Sequence, residues 1–173
     1  MASNIDEHYS ESKEVKLISA IIIDQYEEVE KLLQTGVDVN MKKSLGASLL
    51  YWAACVGNLD CISTLLDLGA DIGAVTLNGE TALHFAAQRG QAKAVVLLLD
   101  RGADIQAVDL RERTALHAAI EKGEDNYLVV SLLTERGADV LATDIDGRTA
   151  LDCTSGSKQQ NIATLLKQIG GQF

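Results

Sequence analysis

Apolar positions recur along this chain with a helical period, in short stretches that glycines cut apart. The pattern is clearest between Gly79 and Asp109. Leu83, Ala86 and Ala87 fall on one face of a short helix of small residues, which Gly90 interrupts. Ala94, Val95, Leu97, Leu98 and Leu99 mark a second, strongly apolar helix. Thr81 offers a hydroxyl able to cap the first helix. Asn78-Gly79 before it tolerates positive φ and predicts a tight turn. Gly102 closes the second helix in the left-handed conformation that glycine enters cheaply. The predicted unit is therefore turn, helix, loop, helix. Alone it cannot bury both of its apolar faces.

The chain repeats this unit. Gly46, Leu50, Ala53, Gly57, Leu65, Leu66 and Gly69-Ala70-Asp71 each precede their counterparts by 33 residues. Thr114-Ala115-Leu116-His117 follows Thr81-Ala82-Leu83-His84 by 33, and Gly137-Ala138-Asp139 follows Gly102-Ala103-Asp104 by 35. Thr149-Ala150-Leu151 continues the series and Gly36-Val37-Asp38 begins it. With TALH twice, TALD once and G-A/V-D four times, the chain resembles the ankyrin repeat over about residues 14 to 170. It departs from that pattern in lacking the proline after the threonine. Leu49, Ala82, Ala115 and Ala150 stand there, and the chain has no proline at all.

The expected fold is an all-α ankyrin-repeat solenoid of about five repeats counting both caps. An N-terminal cap repeat spans 14–43, with helices near 14–23 and 26–34. Units at 44–76, 77–109 and 110–144 follow, and a C-terminal cap repeat covers 145–173. Glu28 and Lys31 replace apolar or small residues of the inner repeats, as the polar end of a finite stack requires. Residues 1–13 read as a disordered acidic tail. The third repeat is two residues longer, the addition falling near Glu124-Asp125-Asn126-Tyr127.

Charge narrows the functions open to such a stack. The net charge is −10, and residues 1–30 hold eight acids against Lys13 and Lys16. That balance opposes binding to a phosphate backbone, which needs clustered cations. No apolar run approaches the roughly 20 residues of a membrane span, and no signal-peptide core opens the chain. Three cysteines, Cys55, Cys61 and Cys153, are odd in number and lack metal-ligand spacing. They read as buried thiols of an intracellular protein, cytoplasmic or nuclear, monomeric alone, and requiring no cofactor or metal.

The residues that resemble catalytic ones have structural readings. His84 and His117 recur within TALH, where the resemblance implies rings bonded to neighbouring turns. Tyr51 and Asp152 occupy that position elsewhere, so no row of histidines exists. No base beside a nucleophile and no phosphate loop is evident, so the chain is not expected to be an enzyme. Leu32 to Asn40 resembles the hairpin at which asparaginyl hydroxylases modify ankyrin repeats in animals, which makes Asn40 a modification candidate.

Binding remains. The resemblance implies recognition of a protein partner through turn tips and the adjoining ends of the inner helices. Register puts Ser44, Leu77, Leu110 and Ile145 in one column of tips, with Leu45 beside Ser44. Leu77, Leu110 and Ile145 should form an exposed ridge, the alternative being that the tips pack on each other, with Trp52 buried behind the groove. Ile22, Ile23, Cys55 and Val56 would extend its apolar floor. Arg89, Arg111, Arg113 and Arg148 flank the ridge and suggest a partner with acidic flanks. The expected function is a scaffold, adaptor or inhibitor; the alternative is a regulatory ankyrin segment of a larger enzyme, channel or secreted effector.

Overall fold

A computed structural model describes residues 12–121, 126–155 and 159–171. Among them are nine α-helices and no β-strand. The helices are α1 (Lys13–Ile22), α2 (Tyr26–Gln34), α3 (Leu49–Val56), α4 (Leu59–Asp67), α5 (Ala82–Gln88), α6 (Ala92–Asp100), α7 (Ala115–Ile120), α8 (Tyr127–Glu135) and α9 (Gln160–Gly170). Helices α1, α3, α5 and α7 stack in sequence as an inner row. Helices α2, α4, α6, α8 and α9 form an outer row behind them. The all-α solenoid expected from the repeat period is what forms.

Packing explains the regularity. The inner helices meet through small residues, with Ala53, Ala54, Ala86, Ala87 and Ala119 all buried. Leu50, Leu83 and Leu116 add one fully buried leucine per repeat at the same register. Outer helices contribute the pairs Ile62 and Leu65, Val95 and Leu98, and Val130 and Leu133. Each such side chain stabilises the stack by about 1.5–3 kcal/mol relative to an exposed one. No single repeat encloses that surface by itself, so stability comes from stacking.

The outer helices share a second device. Their N-cap residues are Gln25, Asn58, Gln91, Asn126 and Gln159, a carboxamide in every case. Three of the amides reach the open carbonyls at the end of an inner helix. Gln91 Nε2 donates to Cys55 O at 3.3 Å, Asn126 Nδ2 to Ala119 O at 2.8 Å and Gln159 Nε2 to Ile120 O at 2.8 Å. Gly57 makes room for the first of these, since a Cβ there would lie 2.4 Å from Gln91 Oε1. Asn58 caps its own helix by accepting from Cys61 N–H at 2.8 Å and also donates to Asp24. These bonds satisfy backbone groups that helix ends leave open.

The two ends of the stack differ. At the first, Ser12 caps α1, whose start at Lys13 lies within a residue of the expected boundary. The rest of the expected acidic tail lies outside the described residues. At the other end, residues 150–153 form a turn where earlier repeats have an inner helix, and the outer helix α9 closes the core. Thr154 and Ser155 follow that turn. The expected two-residue addition lies partly outside the described residues, but Asn126 and Tyr127 after it cap and begin α8.

Candidate binding surface

Between each outer helix and the next inner helix the chain makes a finger closed by its own backbone. Lys43 N–H donates to Ala47 O, Thr76 to Glu80 and Asp109 to Arg113, each at 3.0 Å, and Asp144 to Arg148 at 2.9 Å. Adjacent fingers are then bonded together. Leu77 N–H donates to Leu45 O at 2.8 Å, Leu110 N–H to Asn78 O at 2.9 Å and Ile145 N–H to Arg111 O at 2.9 Å. Their side chains project outward, being 69%, 70% and 60% exposed. Leu45, at 72%, joins them on the first finger. The tips therefore do not pack into a core. Gly79 permits the close approach, because a Cβ there would lie 2.9 Å from Leu110 N.

One side chain at the base of each later finger holds its turn. Thr76 Oγ1 accepts the N–H groups of Asn78 and Glu80, both at 3.3 Å. Asp109 Oδ1 does the same for Arg111 and Arg113 at 2.8 and 3.0 Å, and Asp144 Oδ1 for Asp146 and Arg148 at 3.0 and 2.9 Å. Burial opposes ionisation of Asp109, but the Arg113 side chain and the N–H groups of Arg113 and Arg111 outweigh it and hold its pKa below the usual range. The Arg148 side chain and backbone hold Asp144 at about 2.

That arrangement changes the role of the arginines. Arg113, expected to flank the ridge as a free cation, is 14% exposed and contacts Asp109, Glu121 and Glu80. Arg148 is 48% exposed and shared between Asp144 at 2.8 Å and Asp146 at 3.0 Å. Arg111 reaches Asp146 at 4.0 Å. Arg89 is exposed and forms no ion pair among the described residues. Buried carboxylates four residues upstream capture the guanidiniums of Arg113 and Arg148, so two of the four cations expected beside the ridge are neutralised.

At the N-terminal end, Ile22 and Ile23 are exposed where α1 stops, and Val56 is half-buried against the core. Trp52, expected to be buried behind the groove, is half-buried instead. Its indole Nε1 is enclosed without an acceptor among the described residues. Tyr51 packs on Trp52 and on Phe85, with ring centroids 5.0 and 4.2 Å apart. This aromatic cluster was missed by register arguments alone. Tyr51 and Trp52 are adjacent, and Phe85 lies 33 residues after Trp52, which was the available signal.

The histidines serve the scaffold. Thr81 N–H donates to His84 Nδ1 at 3.2 Å, so Nε2 carries the proton and donates to Arg113 O in the next finger at 2.9 Å. His117 joins Thr114 N–H at 3.3 Å to Arg148 O at 3.1 Å in the same way. Burial pushes both pKa values down, keeping the rings neutral. In the last repeat Asp152 takes the place of these histidines, accepting from Thr149 N–H at 2.9 Å. Asn40 bridges successive turns, donating to Gly69 O at 3.1 Å and accepting from Asp71 N–H at 2.7 Å. Gln106 repeats that bridge to Gly137 O and Asp139 N–H.

The three cysteines are free thiols, and burial pushes Cys61 up to about 12. Among the described residues no group of His, Cys, Asp or Glu could hold a metal ion, and no helix is long and apolar enough to cross a membrane. Comparison with curated proteins finds no match. Two family models do match: one for ankyrin repeats in three copies covers residues 17–109, and one for a single ankyrin repeat covers 111–145. Together with the stacked helix pairs and their fingers, these matches establish that the chain belongs to the ankyrin-repeat family.

Proposed function

We propose that this chain is a protein-binding module whose interface is the row of finger tips and the inner-helix ends beside it. Ankyrin repeats are generally protein–protein interaction modules and typically non-catalytic. The observation that carries the finer reading is the row Leu77, Leu110 and Ile145. All three are largely exposed, and all three are fixed by backbone bonds to the preceding finger. Exposed aliphatic side chains at matched positions on a rigid frame are an interface signature, because burying them on a partner removes apolar surface at little cost in ordering. Leu45 extends the row. Ile22, Ile23 and Val56 continue an apolar surface toward the first repeat, and Arg89 and Arg111 supply its accessible cations. Such a module acts as a scaffold, adaptor or inhibitor by occupying its partner without altering it covalently. Asn40, exposed with its amide bridging the first two turns, is the modification candidate.

The test is Leu77→Asp combined with Leu110→Asp. Affinity capture from the source cells should recover partners with the wild-type protein that the double variant loses. Its circular dichroism spectrum and melting temperature should stay unchanged, because both side chains lie outside the core. Capture that persists with the folded variant would place the interface elsewhere.

A further inference from the structure

From the charge on the fingers we infer that the partner segment is basic, with lysine or arginine flanking its apolar anchors. This rests on the finger row being the interface and adds the chemistry of its occupant. Residues 74–89, 107–121 and 142–155 comprise fingers two to four and the inner-helix ends beside them, and they carry seven carboxylates against four guanidiniums. Two of those guanidiniums are already committed. Arg113 is ringed by Asp109, Glu80 and Glu121, and Arg148 is shared by Asp144 and Asp146. A partner carboxylate would have to compete with these intramolecular pairs.

The carboxylates are less fully satisfied. Glu112 is exposed beside the tip of the third finger and forms no ion pair among the described residues. Asp146 is 58% exposed and meets Arg148 and Arg111 through Oδ2 alone, whereas Glu121, 38% exposed, has one oxygen on Arg113 and the other on Gln88 Nε2 at 2.7 Å. Asp152 is exposed and, among the described residues, is hydrogen-bonded to Thr149 at the start of its own turn. A cation approaching the third and fourth fingers therefore meets accessible negative charge next to Leu110 and Ile145. The first finger differs, carrying Lys42 and Lys43, so the preference is set at the C-terminal half of the row. The net charge of −10 acts in the same direction at long range and steers a basic segment toward the stack.

The probe is a random-peptide phage library panned against the whole protein, followed by fluorescence anisotropy on synthetic copies of the enriched sequences. Enriched peptides should carry more Lys and Arg than Asp and Glu around aliphatic or aromatic anchors. They should bind the Leu77→Asp/Leu110→Asp variant at least about tenfold more weakly. Raising salt from about 0.05 to about 0.3 M should weaken them about threefold or more, as screening of an exposed charged surface requires. Glu112→Lys with Asp146→Lys should produce a comparable loss while leaving the melting curve intact. Peptides that depend on Leu77 and Leu110 but are acidic or neutral would overturn the charge inference and leave the interface standing. Peptides indifferent to the leucine pair, or no enrichment at all, would overturn the interface reading and this inference with it.

Discussion

Asp109 gives the most discriminating test of how the fingers are held. Its carboxylate accepts two backbone N–H bonds across the turn and binds Arg113 Nε at 2.7 Å, while the residue is only 6% exposed. Replacing it with alanine strands two N–H groups and removes one carboxylate from Arg113, which keeps Glu80 and Glu121. Charged hydrogen bonds contribute about 1.5–3 kcal/mol each, and part of that loss is recovered by water, so Asp109→Ala should cost about 3 kcal/mol. For a chain of this length that lowers the melting temperature by about 6–12 °C. The second finger supplies the control. Thr76 accepts the equivalent two N–H groups with a neutral hydroxyl at 3.3 Å. Asp109→Thr should therefore keep the turn and lose only the ion pair, costing about 1–2 kcal/mol. The assay is urea and thermal unfolding of the three proteins, repeated at falling pH. Because the folded pKa lies below the unfolded one, the advantage of Asp109 is complete above about pH 4 and disappears as pH falls through the folded value. Equal costs for the alanine and threonine variants would refute the reasoning, since the turn bonds would then contribute nothing.

Three further perturbations probe other parts of the stack. Leu98→Ala should cost about 2–5 kcal/mol in urea unfolding by opening a cavity at a fully buried site; a cost near zero would place α6 in the wrong register. Gly102→Val should cost at least about 1 kcal/mol from backbone strain alone, because φ is 90° and nothing lies within 4 Å of a Cβ there. Gly102→Asn should recover most of that loss, and equal behaviour of the two variants would contradict it. Burial holds His84 and His117 below their unfolded pKa, so the native state binds fewer protons and stability should decline as pH drops below about 6.5. In a His84→Gln/His117→Gln protein that decline should flatten, and an identical slope would show that other groups set it.

The repeat period made most of the fold legible because a solenoid translates sequence spacing directly into spatial register. Leu98 is buried and Gly102 is left-handed as the spacing implies, and the tip residues Leu77, Leu110 and Ile145, which spacing aligns in one column, are exposed. Properties that depend on a second residue were harder to read. The carboxamides Gln25, Asn58, Gln91, Asn126 and Gln159 recur with the repeat, but only the two asparagines are favoured N-caps, and propensity directs attention away from the three glutamines. The role of Gln91, Asn126 and Gln159 follows from reaching the end of an inner helix, which no local rule describes. The arginines show the same limit. Counted along the chain they suggested a positive flank, but Asp109 precedes Arg113 by four residues and Asp144 precedes Arg148 by four, and a tight finger brings each pair into contact. Once the finger closes, those cations brace the turn instead of standing free beside the tips.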